Sequence, residues 1–256
     1  MSAKQTIQTA VAKVAQLRQQ ASKTPGLADA VSQIKAFQAR RFTGTYADLL
    51  QTPQYQPATQ FFLEELYSEK DYSQRDAQFS RIAGTLERMF PKQVVQTAES
   101  LAQLHSLTED LDLAMAQKWL DSAGSADSVA TQATTGDPVK RYISAWREVG
   151  RRDDRNAQLS GALSVGNQLV TLTRTPGLRM ALRMMRKPAS LAGMAALQHF
   201  LESGFDTFAA MGNKTDTANY FLTTVQAREK KLISELFSNS LTIAEDAITD
   251  IMNYAT

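Results

Sequence analysis

The two histidines of the chain, His105 and His199, and the carboxylates around them are where chemistry could begin. At about 100° per residue, Leu101, His105, Thr108, Asp112, Met115 and Trp119 fall along one side of a helix, with Glu109 just off its edge. An imidazole and a carboxylate two turns apart in an apolar stripe need partners, because an unpaired buried charge is costly. The spacing fits a polar pocket in which His105 titrates or ligates a metal or heme with Glu109 or Asp112, as in a helical oxygenase, with Glu64 or Glu65 opposite. It fits equally a structural histidine bonded to a neighbouring helix, the commoner arrangement. His199, Glu202 and Asp206 resemble a ligand set, but they lie away from the stripe formed by Leu191, Met194, Leu197, Leu201, Phe205 and Phe208. That placement predicts solvent around them.

A second group lies in the run from Phe61 to Ile82. Phe61, Phe62, Leu63, Leu66 and Tyr67 occupy most of one helix's circumference, which predicts a central core element. Arg75 falls on the same side of the next helix as Phe79, Ile82 and Leu86, so it requires an acid. Glu64, Glu65, Asp71 and Asp76 are nearest in sequence, and a carboxylate suits the planar guanidinium fork. Such a network would brace a ligand site or fix the angle between two helices. The third group is basic. Arg179, Arg183, Arg186 and Lys187 share one helical sector, Leu178, Ala181, Leu182 and Met185 share another, and Arg174 precedes them. This pattern suits anionic lipid, an acidic protein partner or an anionic ligand, and also an ordinary solvated face.

Several chemistries are disfavoured. The absence of cysteine removes disulfides, thiolate metal sites and a cysteine nucleophile. A di-iron bundle generally needs two Glu-x-x-His motifs, and the chain has neither. Phosphate loops, nucleophile elbows, His-Glu-x-x-His helices and dinucleotide-binding glycine patterns are also missing. A formal charge of +2, from 28 basic and 26 acidic residues, creates no global field, and no aromatic interleaving suggests a nucleic-acid platform. No run approaches the 18 or so apolar residues of a membrane span. The first twenty residues lack a signal-type apolar run, so a cytoplasmic location is expected.

Stepping from residues to elements, apolar positions recur at helical spacing nearly throughout, whereas alternating strand-type runs are missing. The expected fold is all-α: roughly ten to eleven helices in a compact multi-helix bundle, with no sheet. Ile7, Val11, Val14 and Leu17 mark the first helix; Val31, Ile34 and Phe37 mark the second. The segment from Phe42 to Gln56 reads as an irregular connection with at most a short helix near Ala47 to Leu50. Pro57, Pro91, Pro138, Pro176 and Pro188 each suit a first helical turn, where the missing N–H costs nothing. Residues 123 to 136 are small and polar, the best candidate for a flexible linker between packed halves 1–122 and 137–256 of a single helical domain. Thr24-Pro25-Gly26-Leu27 recurs as Thr175-Pro176-Gly177-Leu178, each between two helices.

The run Phe61 to Ile82, with Leu104 to Asp112, Arg183 to Ala189 and Ala196 to Phe208, resembles an uncharacterised helical family of bacterial proteins. The resemblance spans most of residues 60 to 237 and implies no activity. The residues themselves favour a non-enzymatic binding or accessory protein without a resident cofactor. Its pocket, near the third to fifth helices, would hold a hydrophobic or anionic (acyl-type) ligand; Met and Phe side chains motivate the apolar part.

Overall fold

Ser2 opens the first helix, α1 (Ala3–Lys23), with a capping box: its hydroxyl accepts from the Gln5 N–H, and the Gln5 amide oxygen accepts from the Ser2 N–H. A type II turn then runs through Thr24-Pro25-Gly26-Leu27, with Pro25 at its second position and Gly26 at φ 75°. The Leu27 N–H closes it on the Thr24 carbonyl at 3.1 Å. The repeated tetrapeptide makes the same turn, with Gly177 at φ 78° and the Leu178 N–H 3.3 Å from the Thr175 carbonyl. The match between the two junctions thus has a local conformational reason, since only glycine adopts this backbone without strain.

In the computed structural model the described residues are 1–66, 72–124, 137–211, 215–238 and 240–255. Expectations resting on the side chains of Glu65, Leu66, Tyr67, Asp71 and Leu86 fall outside them, as does the linker expected at residues 123–136, apart from the backbone of 123 and 124 at a helix end. Among the described residues there are thirteen helices and no strand.

After α1 come α2 (Leu27–Thr45), α3 (Ala47–Gln51), α4 (Gln56–Leu66), α5 (Ser73–Met89) and α6 (Lys92–Gly124). The expected irregular segment from Phe42 is corrected at its start: α2 continues to Thr45 because Phe42 is 1 % exposed and extends the buried stripe. The remaining helices are α7 (Pro138–Val149), α8 (Arg152–Thr173), α9 (Leu178–Met184), α10 (Arg186–Leu191), α11 (Ala195–Met211), α12 (Thr215–Leu236) and α13 (Leu241–Asn253). Asp137 caps α7 by accepting from the Val139 N–H, with Pro138 at the first helical position. Pro188 does not open a helix that runs to Phe208. It lies inside the short α10, and the chain stops at Gly193, φ 67°, before α11 begins.

The 33-residue α6 is the central strut, packed against α1, α2, α5, α7 and α8. Residues on both sides of 125–136 build the main core cluster, which joins Ile34, Phe37, Met115, Trp119, Tyr142 and Trp146 to Ile233 and Ile248. Each fully buried side chain of this size contributes about 2 kcal/mol by leaving water. Phe37 stacks on Tyr142 at 4.3 Å, and Arg141 and Arg155 each place a guanidinium 4.1 Å from the ring of Trp119 and Trp146, respectively. A second cluster gathers Phe42, Tyr46, Phe62, Phe208 and Phe221. A third, of Ile7, Phe79, Ala102, Leu197 and Phe200, lies toward α5 and α11. Between α2 and α13 the backbones come so close that a Cβ on Gly44 would collide with the Ile251 carbonyl.

Candidate functional site

An internal cavity of about 230 Å³ lies between α5, α6, α8 and α11 and is closed on one side by α9 and α10. Its walls are largely apolar, with Phe79 from α5, Leu101 from α6, Val165 and Leu169 from α8, and Phe200 and Phe205 from α11. The helices leave this space because their facing positions alternate large rings with small residues. Gly204, for example, lies under the Phe61 ring, whose Cζ would be 3.0 Å from an added Cβ.

The polar part of the wall gathers residues singled out by helical spacing. His105, Glu109 and Asp112 line the cavity from α6, and Arg75 and Asp76 line it from the start of α5. His105 Nε2 is 3.0 Å from Asp76 Oδ2. Burial pushes the Asp76 carboxyl up, but the His105 hydrogen bond and the cationic side chains of Arg18 and Arg75 outweigh it and hold the group below the usual carboxylate range. An ionised carboxylate only accepts, so His105 carries its proton on Nε2 in this contact, which leaves Nδ1 as the ring atom a ligand could meet. Arg18 reaches the same Asp76 oxygen at 2.9 Å from outside the cavity.

Arg75 packs against two rings beside the Asp76 carboxylate. Its guanidinium lies 4.0 Å from the centre of Tyr72 and 4.7 Å from that of Phe200, with Nε 3.8 Å from Asp76 Oδ1. Cation–π contacts of this kind contribute about 1 kcal/mol each when partly desolvated. Tyr72 in turn donates its hydroxyl to the Glu64 carbonyl at 2.6 Å and sets its ring edge-on to His105. The Glu64 carboxylate points elsewhere: it is exposed and accepts from Gln60 at 2.8 Å, so it does not face His105.

Two cavity-lining residues from α2 were not evident from the sequence. Lys35 places its ammonium 2.6 Å from Glu109 Oε1, and Gln38 donates to Asp112 Oδ1 at 3.0 Å. Asp112 is 3 % exposed, and burial, stronger than the pull of Lys35 and Arg155, pushes its carboxyl up. The signal was present. Gln38 and Arg41 fall within the arc that joins Val31, Ile34 and Phe37. Arg41 pairs with the buried Glu229 at 2.5 Å, and Tyr46 donates to the same oxygen at 3.0 Å, bracing α2 against α12 away from the cavity.

For a metal, the carboxylates are already engaged: Asp76 by His105, Glu109 by Lys35 and Asp112 by Gln38. Among the described residues no three His, Asp or Glu side chains form a metal-holding group.

The third predicted group forms the cavity's lid. Leu178, Leu182, Met185 and Ala189 turn inward from α9 and α10 and line the cavity. Arg179 and Arg186 pair with α11, Arg179 Nε to Asp206 at 2.8 Å and Arg186 Nε to Glu202 at 2.8 Å. Exposed pairs of this kind contribute at most about 1 kcal/mol each. His199 is exposed, Glu202 and Asp206 are partly so, and both acids are engaged by these surface pairs. Arg174, Arg183 and Lys187 remain on the outer surface.

A family model described as a domain of unknown function (DUF8198) matches residues 16–242. The chain belongs to this family. The matched span takes in every charged residue of the site and, of the residues lining the cavity, leaves out only Val11. No curated protein and no solved structure matches the chain. No helix among the described residues is long and apolar enough to cross a membrane.

Proposed function

We propose that the protein is a non-enzymatic binding protein of a reducing compartment whose cavity holds a small acyl-type amphiphile. The observation that carries this reading is the division of one cavity into a long apolar wall and a single ionic end. Apolar rings receive a chain; Arg75 and Lys35 receive a carboxylate or similar head. The end suits an anion because burial pushes the Asp112 carboxyl up, toward its neutral form, while the Lys35 ammonium and the Arg75 guanidinium both line the same wall. Size sets the chain length. If a cavity of about 150 Å³ holds benzene, simple scaling gives this one roughly nine non-hydrogen atoms, the length of a medium-chain acid.

Native mass spectrometry of protein purified from cells, followed by lipid extraction, tests for a resident ligand. Thermal shift across saturated fatty acids from about four to sixteen carbons tests the size, with the largest shift expected at about seven, two of the nine atoms being the carboxyl oxygens. At a ligand concentration 100-fold above Kd the gain is about 2.7 kcal/mol, equivalent to a rise of roughly 5–10 °C in a chain of this length. Ala98→Phe and Ala162→Leu, both in the cavity wall, should abolish the shift while leaving the ligand-free Tm within a few degrees. A clean apo mass together with no shift for any chain length would sink the reading.

A further inference from the structure

We propose that the outward face of α9–α10 docks onto an anionic lipid bilayer. At helical spacing Met180, Arg183, Met184, Lys187 and Leu191 fall within one narrow arc, and Leu178, Leu182, Met185 and Ala189 fall on the opposite one. The second arc lines the cavity; the first faces away from every neighbouring helix. Its apolar members are strongly exposed, Met180 at 68 %, Met184 at 72 % and Leu191 at 90 %. Three large apolar side chains alternating with cations on one surface are the composition of a helix that lies in a headgroup layer, apolar side down and basic groups at phosphate level.

Charge selects the occupant. No acidic residue occurs between Asp154 and Glu202, and the two acids nearest this segment, Glu202 and Asp206, are engaged by Arg186 and Arg179 on its flank. The outer arc and the adjoining Arg174 therefore present cations without a local acid, and each such residue near an anionic surface raises affinity about fivefold. Methionine anchors in place of tryptophan make the attachment weak, reversible and salt-sensitive. Because the docked segment is also the cavity's wall, the bilayer would lie one helix away from the apolar space and could supply its acyl ligand; that consequence, though not the docking itself, rests on the function proposed above.

Sedimentation with vesicles of phosphatidylcholine containing about one-third phosphatidylglycerol, compared with phosphatidylcholine alone, reads the docking directly. Binding to the anionic vesicles is expected, at least about tenfold weaker to neutral ones and largely lost at high salt. R183E/K187E and M180S/M184S should each weaken it at least about tenfold, whereas K230E/K231E on exposed α12, with the same charge change, should leave it intact. Absence of binding, equal binding to neutral vesicles, or equal loss in the α12 control overturns the proposal, the first also being the outcome if the face serves an acidic protein. Fatty-acid uptake measured without vesicles separates the two readings: a protein that takes up the acid but ignores vesicles loses only the docking, and the converse loses only the cavity function.

Discussion

At the residue scale the site turns on two carboxyls that titrate in opposite directions. Asp112 sits above its usual range, so the native state keeps its proton where the unfolded chain has released it. Its contribution is fullest below about pH 3.8 and declines as pH rises through the raised native value. Asp112→Asn keeps an acceptor for Gln38 and removes the buried charge; we expect about 1 kcal/mol of added stability at pH 8 and little at pH 4, read by urea denaturation. Asp76 behaves oppositely. Asp76→Asn removes the charge that His105 and Arg18 meet and should cost about 3 kcal/mol at pH 7. A destabilised Asp112→Asn at pH 8 would show that the charged form is the one the fold requires. His105, Asp112 and Arg75 were legible as polar residues on apolar faces, since helical spacing alone reveals that conflict; Glu109 stood at the stripe's edge, and Asp76 was one of several acids near Arg75 in sequence. Which of them would meet was not, because Asp76 and His105 lie 29 positions apart.

At the element scale, local chemistry marked most boundaries and failed where tertiary packing prevailed. Ser2, Asp137 and the two Thr-Pro-Gly-Leu turns act within a few residues and are readable as written. The continuation of α2 past Arg41 goes with burial of Phe42 in the cluster of Phe62 and Phe221; Gly44 and Pro53 hid it in the sequence, although Phe42 extends the apolar stripe. At α10 the stop is encoded in Gly193, while Pro188, five residues earlier, drew attention to the wrong end. The close crossing of α2 and α13 gives a sharp expectation. Gly44→Ala forces a methyl onto the Ile251 carbonyl and should destabilise by about 3 kcal/mol, whereas Gly177→Ala, with open space around it, should cost only the strain of its positive φ, about 1 kcal/mol. Parallel melting curves of the two variants check the contrast.

For the whole molecule, helical periodicity disclosed the class because it is repeated in every segment. The cavity is a negative space bounded by residues from α1, α2, α4–α6 and α8–α11, and no window of sequence contains it. The electrostatics, too, add across the molecule. Asp48, Asp76 and Asp110 are all held below their usual range: Asp48 first by its hydrogen bond to Arg228, Asp76 by the His105 hydrogen bond with Arg18 and Arg75 near, and Asp110 by Arg151 and Lys13, in the last two cases outweighing burial. Each adds stability that is complete above about pH 3.8 and disappears as pH falls through the lowered native value. An acid transition below about pH 4 is therefore expected by circular dichroism, at higher pH in Asp76→Asn and unmoved in Asp112→Asn.

The chain's two tryptophans, each beneath an arginine in the same core cluster, have a practical consequence. Neither borders the cavity. Intrinsic fluorescence thus reports from one region only, where α2, α6, α7, α12 and α13 meet, and it will register unfolding while staying silent as the cavity fills. A protein that looks inert to its own light could be fully loaded, so occupancy has to be followed with an added chromophore, or with a tryptophan placed at Phe79 or Phe200.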